Sequence, residues 1–293
     1  MTAEAGETVG AGSTVRAPGG AHAAGGPLRR RYRGLAALAV GALLLSGCGS
    51  DDETSPRAGS ERLAGAAEAG MERASSYGFD SAGFVTEDAL EQFREQSADS
   101  AAGAETEEAS DVTPEQCAEP LDAVDWAPLL LGGDAARVDF GTEGFAGTGS
   151  IEVAEAAGGD AEARVEEHLA NIDTLLEDCP EVAFTAEGED LELEITEVES
   201  GDGEAGDVGP GGDTVTTAYS WRRDAAGSAG ADPASGSAEA DGTTVAQILL
   251  TQQGDDVVMV SFIGDGTAGS AEFTQMAEGI TEVTLEALDP DDE

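Results

Sequence analysis

Residues 243–263 read TTVAQILLTQQGDDVVMVSFI, and this stretch decides the fold. Thr243–Thr251 and Val257–Ile263 are two runs rich in β-branched and large apolar residues, joined by Gln252-Gln253-Gly254-Asp255-Asp256. Such side chains fit a pleated backbone, and the Gly/Asp-containing joint supplies a turn, so the stretch predicts a β-hairpin. Upstream, Leu191, Leu193 and Ile195 alternate, as do Val215, Thr217, Tyr219 and Trp221. Period-two patterns of this kind predict half-buried strands. Ala136–Phe140 and Thr148–Ala154 predict two shorter strands.

Helical periodicity occurs twice. Gly158-Gly159-Asp160 breaks the chain and offers Asp160 as an N-cap. Val165, Leu169, Ile172, Leu176 and Cys179 then recur every three or four residues, as one face of an amphipathic helix that Pro180 ends. Phe273, Met276, Ile280 and Val283 predict a closing helix. The order β-β-α-β-β-β-β-β-α reads as an α+β fold: an antiparallel sheet with two long helices packed on one face and one disulfide. Its expected span is residues 114–288, with Gly/Asp/Ser/Ala-rich surface insertions at 200–213 and 224–242 and an acidic tail at 289–293. Residues 48–113 read as a lipidated tether and linker, partly helical. Within them 60–97 suit a stalk or a part of the domain equally; Thr86 is placed to cap a helix, with Val85 and Leu90 at the staple positions.

The N-terminal region has the order of an export signal. Arg29-Arg30-Arg31-Tyr32-Arg33 is followed by the mostly apolar Gly34–Leu44 and then by Leu45-Ser46-Gly47-Cys48. A basic segment, a short apolar segment and a small-residue site make a secretory signal, too short to span a bilayer comfortably. Leu-Ser-Gly-Cys resembles the lipobox of bacterial lipoproteins. That resemblance implies cleavage after residue 47 and a diacylglyceryl group on Cys48, a membrane anchor on the outer face of the cell membrane. Residues 1–28 make the basic segment unusually long, which a start at Val9 or Val15 would shorten.

Charge narrows the partners. The 293 residues carry 13 Lys+Arg, all arginine, against 61 Asp+Glu, for a net charge of −48. Loss of residues 1–47 removes five Arg and two Glu and leaves −51. Phosphate backbones need Lys and Arg, so nucleic acid is excluded as a partner. Besides Cys48 the chain has Cys117 and Cys179, an even pair in an oxidising compartment, which predicts a disulfide closing a 62-residue loop. Metal ligation lacks partners, since His22 leaves with the signal and His168 alone remains.

Catalytic motifs are absent: no G-x-S-x-G, H-E-x-x-H or P-loop occurs. His168 follows Arg164 by one turn and reads as a solvated helix residue. The Gly/Asp run 200–213 lacks EF-hand spacing and reads as a solvated loop rather than a calcium site. No cofactor is expected. Trp126, Tyr219 and Trp221 suit either core packing or the lining of a ligand cleft, and Arg222 and Arg223 are scarce cations beside it.

A lipobox, a polar linker, Pro114-Glu115-Gln116-Cys117, a helix ending at Cys179, Tyr219 and Trp221, and the 243–263 hairpin before a last helix together resemble actinobacterial sensor-domain lipoproteins. These are similar to the extracellular domain of the PknH-type receptor serine/threonine kinases. The resemblance covers about 114–288. It implies an extracellular domain with a cleft between helices and sheet and an unidentified ligand; the kinase domain's second disulfide has no counterpart here. The expected function is a lipid-anchored extracytoplasmic binding or sensor domain for a small molecule or envelope component, not an enzyme. Tyr219, Trp221 and Arg222 would line its ligand site. The alternative is an interaction lipoprotein that partners a membrane kinase, transporter or cell-wall enzyme.

A surface this acidic repels itself, and salt screens that repulsion. The urea midpoint of the folded chain should therefore rise from low to high NaCl. A midpoint that does not move would contradict the expectation.

Overall fold

The structure, a computed structural model, describes residues 57–104, 112–121, 124, 126–186, 189–199, 214–225 and 243–289. The export signal, Cys48, the 200–213 insertion and nearly all of 224–242 and of the acidic tail lie outside the described residues.

The hairpin is formed by β7 (Thr244–Gln253) and β8 (Asp256–Gly264), paired from Val245↔Gly264 to Gln253↔Asp256. Two residues, Gly254 and Asp255, make the turn, and Gly254 has φ 57°. A two-residue hairpin turn needs positive φ at its first central position, which glycine adopts without strain. Both strands are buried on both sides for most of their length, because the hairpin sits at the middle of the sheet. The full order is β1-β2-β3-β8-β7-β6-β5-β4, antiparallel throughout. The other strands are β1 (Ser81–Phe84), β2 (Ala135–Gly141), β3 (Gly147–Glu155), β4 (Glu181–Ala186), β5 (Glu189–Glu197) and β6 (Thr214–Ala225). Two meanders, β1–β3 and β4–β8, are thus joined where β3 meets β8.

The connection between the meanders dictates the first helix layer. β3 lies third in the sheet and β4 eighth, a separation of five strand spacings, or roughly 24 Å. The helix α4 (Gly159–Asp178) has 20 residues and spans about 30 Å, so it crosses one face of the sheet to reach the far edge. Its N-cap is Gly158 rather than Asp160, and Cys179 caps its C-terminus. Cys179 is bonded to Cys117 in the short turn Glu115–Cys117, which leads into α3 (Ala118–Leu121). This confirms the expected pair. On the chain-entropy account a loop of this size stabilises by roughly 4 kcal/mol.

The two predicted long helices do not share a face. α4 buries Val165, His168, Ile172 and Leu175 in a layer with Val182, Leu193, Ile195, Tyr219, Trp221, Ile248 and Met259. The closing helix, α5 (Ala271–Leu288), packs on the opposite face over β7 and β8, in a cluster with Leu249, Val258, Val260 and Phe262. There Thr274 Oγ1 donates to the Gln247 side-chain carbonyl (2.6 Å), whose amide donates to Ala268 O (2.9 Å). Alternation along β7 and β8 supplies apolar side chains to both faces, so each face requires its own cover.

The cover on the α5 side is completed by residues expected to be a tether. α1 (Glu61–Ser76) buries Leu63, Ala66, Ala67, Gly70 and Ala74 against α5 and the sheet. β1 pairs with β2, and α2 (Glu87–Ala104) begins after Thr86, whose Oγ1 accepts from Ala89 N–H (3.3 Å). Val85 and Leu90 are both buried, as the staple requires. The folded body therefore starts by residue 57, well before 114. The small face of α1 allows a close approach to α5: a Cβ on Gly70 would lie 3.0 Å from Ile151 Cδ1 and would collide with Thr284 Oγ1.

Gly70→Val should lower stability by about 1–3 kcal/mol through overpacking at this crossing. Urea denaturation of the full chain measures it. An unchanged midpoint would contradict the docking of α1 on α5.

Candidate functional site

The α4 face of the sheet carries the polar and aromatic groups that a site would need. Period-two alternation assigns them. Arg137, Asp139, Ser150, Glu152, Tyr219, Trp221, Met259 and Ser261 project to this face, whereas Val138, Phe140, Ile151, Val153 and Phe262 project to the α5 face. Asp139, Ser150, Ser261, Ile248 and Tyr219 are aligned across five neighbouring strands by register. Next to that row, Arg137 faces Glu152, and Glu152 faces Met259.

This row contains a charged network. Arg137 Nε donates to Asp139 Oδ1 (2.7 Å) and its Nη1 to Glu152 Oε1 (2.8 Å). Burial pushes the Glu152 carboxyl above its ordinary range, and Arg137 only partly offsets that. The Leu129 backbone N–H, in the turn Pro128–Leu131, also donates to Glu152. From the other side Arg94 of α2 donates to Leu129 O (2.7 Å) and Gly133 O (2.8 Å). The Pro128–Leu131 strap is therefore held onto the sheet by charged side chains above and below. Ser150 and Ser261 satisfy each other at 2.8 Å. Glu152 Oε2 has no partner among the described residues although it is fully buried.

Beside the strap, Trp126 stacks on His168 of α4, with ring centroids 4.2 Å apart and planes 18° from parallel. His168 is 3% exposed, which corrects the expectation of a solvated residue. The buried face of α4 keeps Val165, Ile172 and Cys179 from its sequence reading and differs at two positions. His168 and Leu175 are buried, while Leu169 and Leu176 lie at its rim. Burial lowers the His168 pKa from 6.5 to about 4. Among the described residues neither imidazole nitrogen has a hydrogen-bond partner, and neither have Trp126 Nε1 and Trp221 Nε1.

Of the sequence-predicted site residues, Tyr219 and Trp221 share this layer and are each 1% exposed. Arg222 does not join them. It is the next residue on β6 and so points to the opposite, open face, where it pairs with Asp224 on its own strand at 2.8 Å. Arg223 shares the Trp221 face, opposite Leu193 and Thr244 in register. Sequence reading missed the Arg137–Asp139–Glu152 network. Its signal was the alternation of charge at 137, 139 and 152 within two otherwise apolar strands.

A separate groove of about 460 Å³ opens between α2 and the start of α1. Two of its polar groups hold backbone: Arg94 as above, and Asp134 accepting Ser60 N–H at 3.0 Å, while Glu87 and Glu91 also line it. Among the described residues no group of three or more His, Cys, Asp or Glu is placed to hold a metal ion. Nor is any of their helices long and apolar enough to cross a membrane.

Comparison with known proteins returns little. No family model matches the chain, and no curated protein matches it. One similar solved structure is the extracellular domain of PknH from Mycobacterium tuberculosis, at 13% identity and a TM-score of 0.30. The match covers 52% of this chain and 64% of that one. Similarity at this level establishes neither a shared fold nor a shared function.

The buried imidazole has a consequence for pH. The unfolded chain takes up the proton near 6.5 and the folded chain only near pH 4. Between these values the unfolded state binds more protons, so stability is lost as pH falls through that window, by about 3 kcal/mol at the acid end. His168→Leu should remove this loss. Urea midpoints of wild type and variant should then diverge progressively from pH 7 to pH 4, and parallel profiles would contradict the burial.

Proposed function

We propose that the chain is a lipid-anchored extracytoplasmic domain that binds a small molecule or an envelope component on the α4 face of its sheet. One observation carries the binding part. Among the described residues, the buried side-chain polar atoms without a hydrogen-bond partner all belong to this face, Thr281 of α5 aside. An unpaired buried polar group costs about 1–3 kcal/mol, so folded proteins keep few of them, and ligand sites are one place where they are kept. The α5 face, by contrast, is a packed layer of Ala, Val, Ile and five clustered Phe.

A binding role suits the chemistry better than catalysis. Among the described residues His168, the imidazole left after signal removal, pairs with no hydroxyl or thiol. A partner protein at a sheet edge is the weaker reading. Thr113 already exchanges two backbone hydrogen bonds with Ala183 of β4, and Arg57 bridges Thr86 beyond β1. The anchor and the location rest on the sequence Arg29–Cys48 and on the disulfide.

The thermal midpoint of the oxidised chain, screened against sugars, wall fragments, small metabolites and divalent ions, tests the binding reading. A ligand at 100 times its Kd stabilises by about 2.7 kcal/mol and should raise the midpoint by several degrees. A cooperative melt that no compound shifts would contradict it and favour a protein partner. For the anchor, Cys48→Ser should release the protein from the membrane fraction. Retention of the variant there would contradict lipidation.

A further inference from the structure

The Trp126–His168 stack carries the binding reading to a class of ligand, and the inference rests on that reading. A neutral imidazole keeps one N–H donor and one bare acceptor nitrogen, and an indole keeps one donor. At this stack neither ring nitrogen of His168 nor Trp126 Nε1 meets a partner among the described residues, and His168 is nine-tenths buried. The pair thus offers two donors and one acceptor, bounded by flat ring surface. Trp126 remains partly exposed and so lies at the edge of the layer.

Charge narrows what these atoms suit. Burial lowers the His168 pKa, and the same burial would strip a charged ligand of its hydration. An anion would also meet the field of a chain with net charge −48. A cation offers nothing to two N–H donors. An apolar ligand would leave all three polar atoms unpaired. A hydroxyl group both donates and accepts, and the C–H face of a saturated ring packs against an aromatic ring.

We infer that Trp126 and His168 form a subsite for an uncharged polyhydroxylated ligand, a sugar or cyclic polyol. Its hydroxyl oxygens accept the indole and imidazole N–H groups, and one hydroxyl donates to the bare imidazole nitrogen.

The test follows the Trp126 indole and His168 ring ¹⁵N resonances of the full oxidised chain. The probes are glucose, N-acetylglucosamine, trehalose and myo-inositol, with glucuronate and glucosamine as charged controls. At least one neutral probe should shift both resonances saturably, and the charged controls should not. Trp126→Phe keeps the stacking ring and removes the N–H, so it should weaken binding about tenfold. His168→Phe should abolish the response, with the amide spectrum showing that each variant is folded. The inference is overturned if no neutral probe moves these resonances, including the case in which both N–H groups simply exchange with water. It is overturned equally if binding survives both substitutions, or if only charged probes bind. A thermal shift by another ligand class, with these resonances unmoved, would sink the subsite and leave the binding reading standing. A flat thermal screen together with unmoved resonances would sink both.

Discussion

The structure depends on the two-sided burial of the β7–β8 hairpin. Successive residues of a strand point to opposite faces, and both strands are apolar at nearly every position from Val245 to Leu250 and from Val257 to Phe262. A hairpin of that composition cannot leave either face to water, so the chain must build two roofs. One is the crossover helix α4 with the strap at Pro128–Leu131. The other is the helix pair α1 and α5. The remaining strands are placed by this requirement, with the short or polar ones, β1 and β4, at the edges.

The two roofs differ in kind. The α1/α5 side is sealed by small helix faces and clustered phenylalanines, an arrangement that suits a permanent core. The α4 side places Arg137, Asp139, Glu152 and His168 under cover, in a protein whose surface carries its excess of acid outside. Removing one partner of a buried ion pair leaves a stranded charge, so the Arg137 network constrains what can replace any of its members. That layer holds buried polar atoms with no partner among the described residues, and the proposed binding role is placed there.

The sequence was most legible where local chemistry decided structure. The hairpin, the Thr86 cap with its Val85/Leu90 staple, and the Cys117–Cys179 pair follow from residues near one another or from elimination among few cysteines. It was least legible where chain path decided. Whether α4 and α5 share a face depends on where β3 and β4 fall in the sheet, and no periodicity reports that. α1 suited a stalk or a part of the domain equally because its buried face is mostly Ala and Gly, which give little hydropathy signal yet allow a close approach to α5. His168 was read as solvated because Leu169 beside it fits an apolar stripe as well. A neutral imidazole tolerates the same burial when it stacks on Trp126. Arg222 is the instructive miss: alternation already separates it from Trp221, its neighbour on the strand, so the sequence contained the correction.

The central claim is that a sealed structural layer and a less stable polar layer share one sheet. Native-state hydrogen exchange on the full oxidised chain tests it most directly. Amides of β7, β8, α1 and α5 should exchange only through global unfolding, while those of α4 and Pro128–Leu131 should open at a measurably lower free energy. Protection of α4 and the strap equal to that of β7 and β8 would contradict the account.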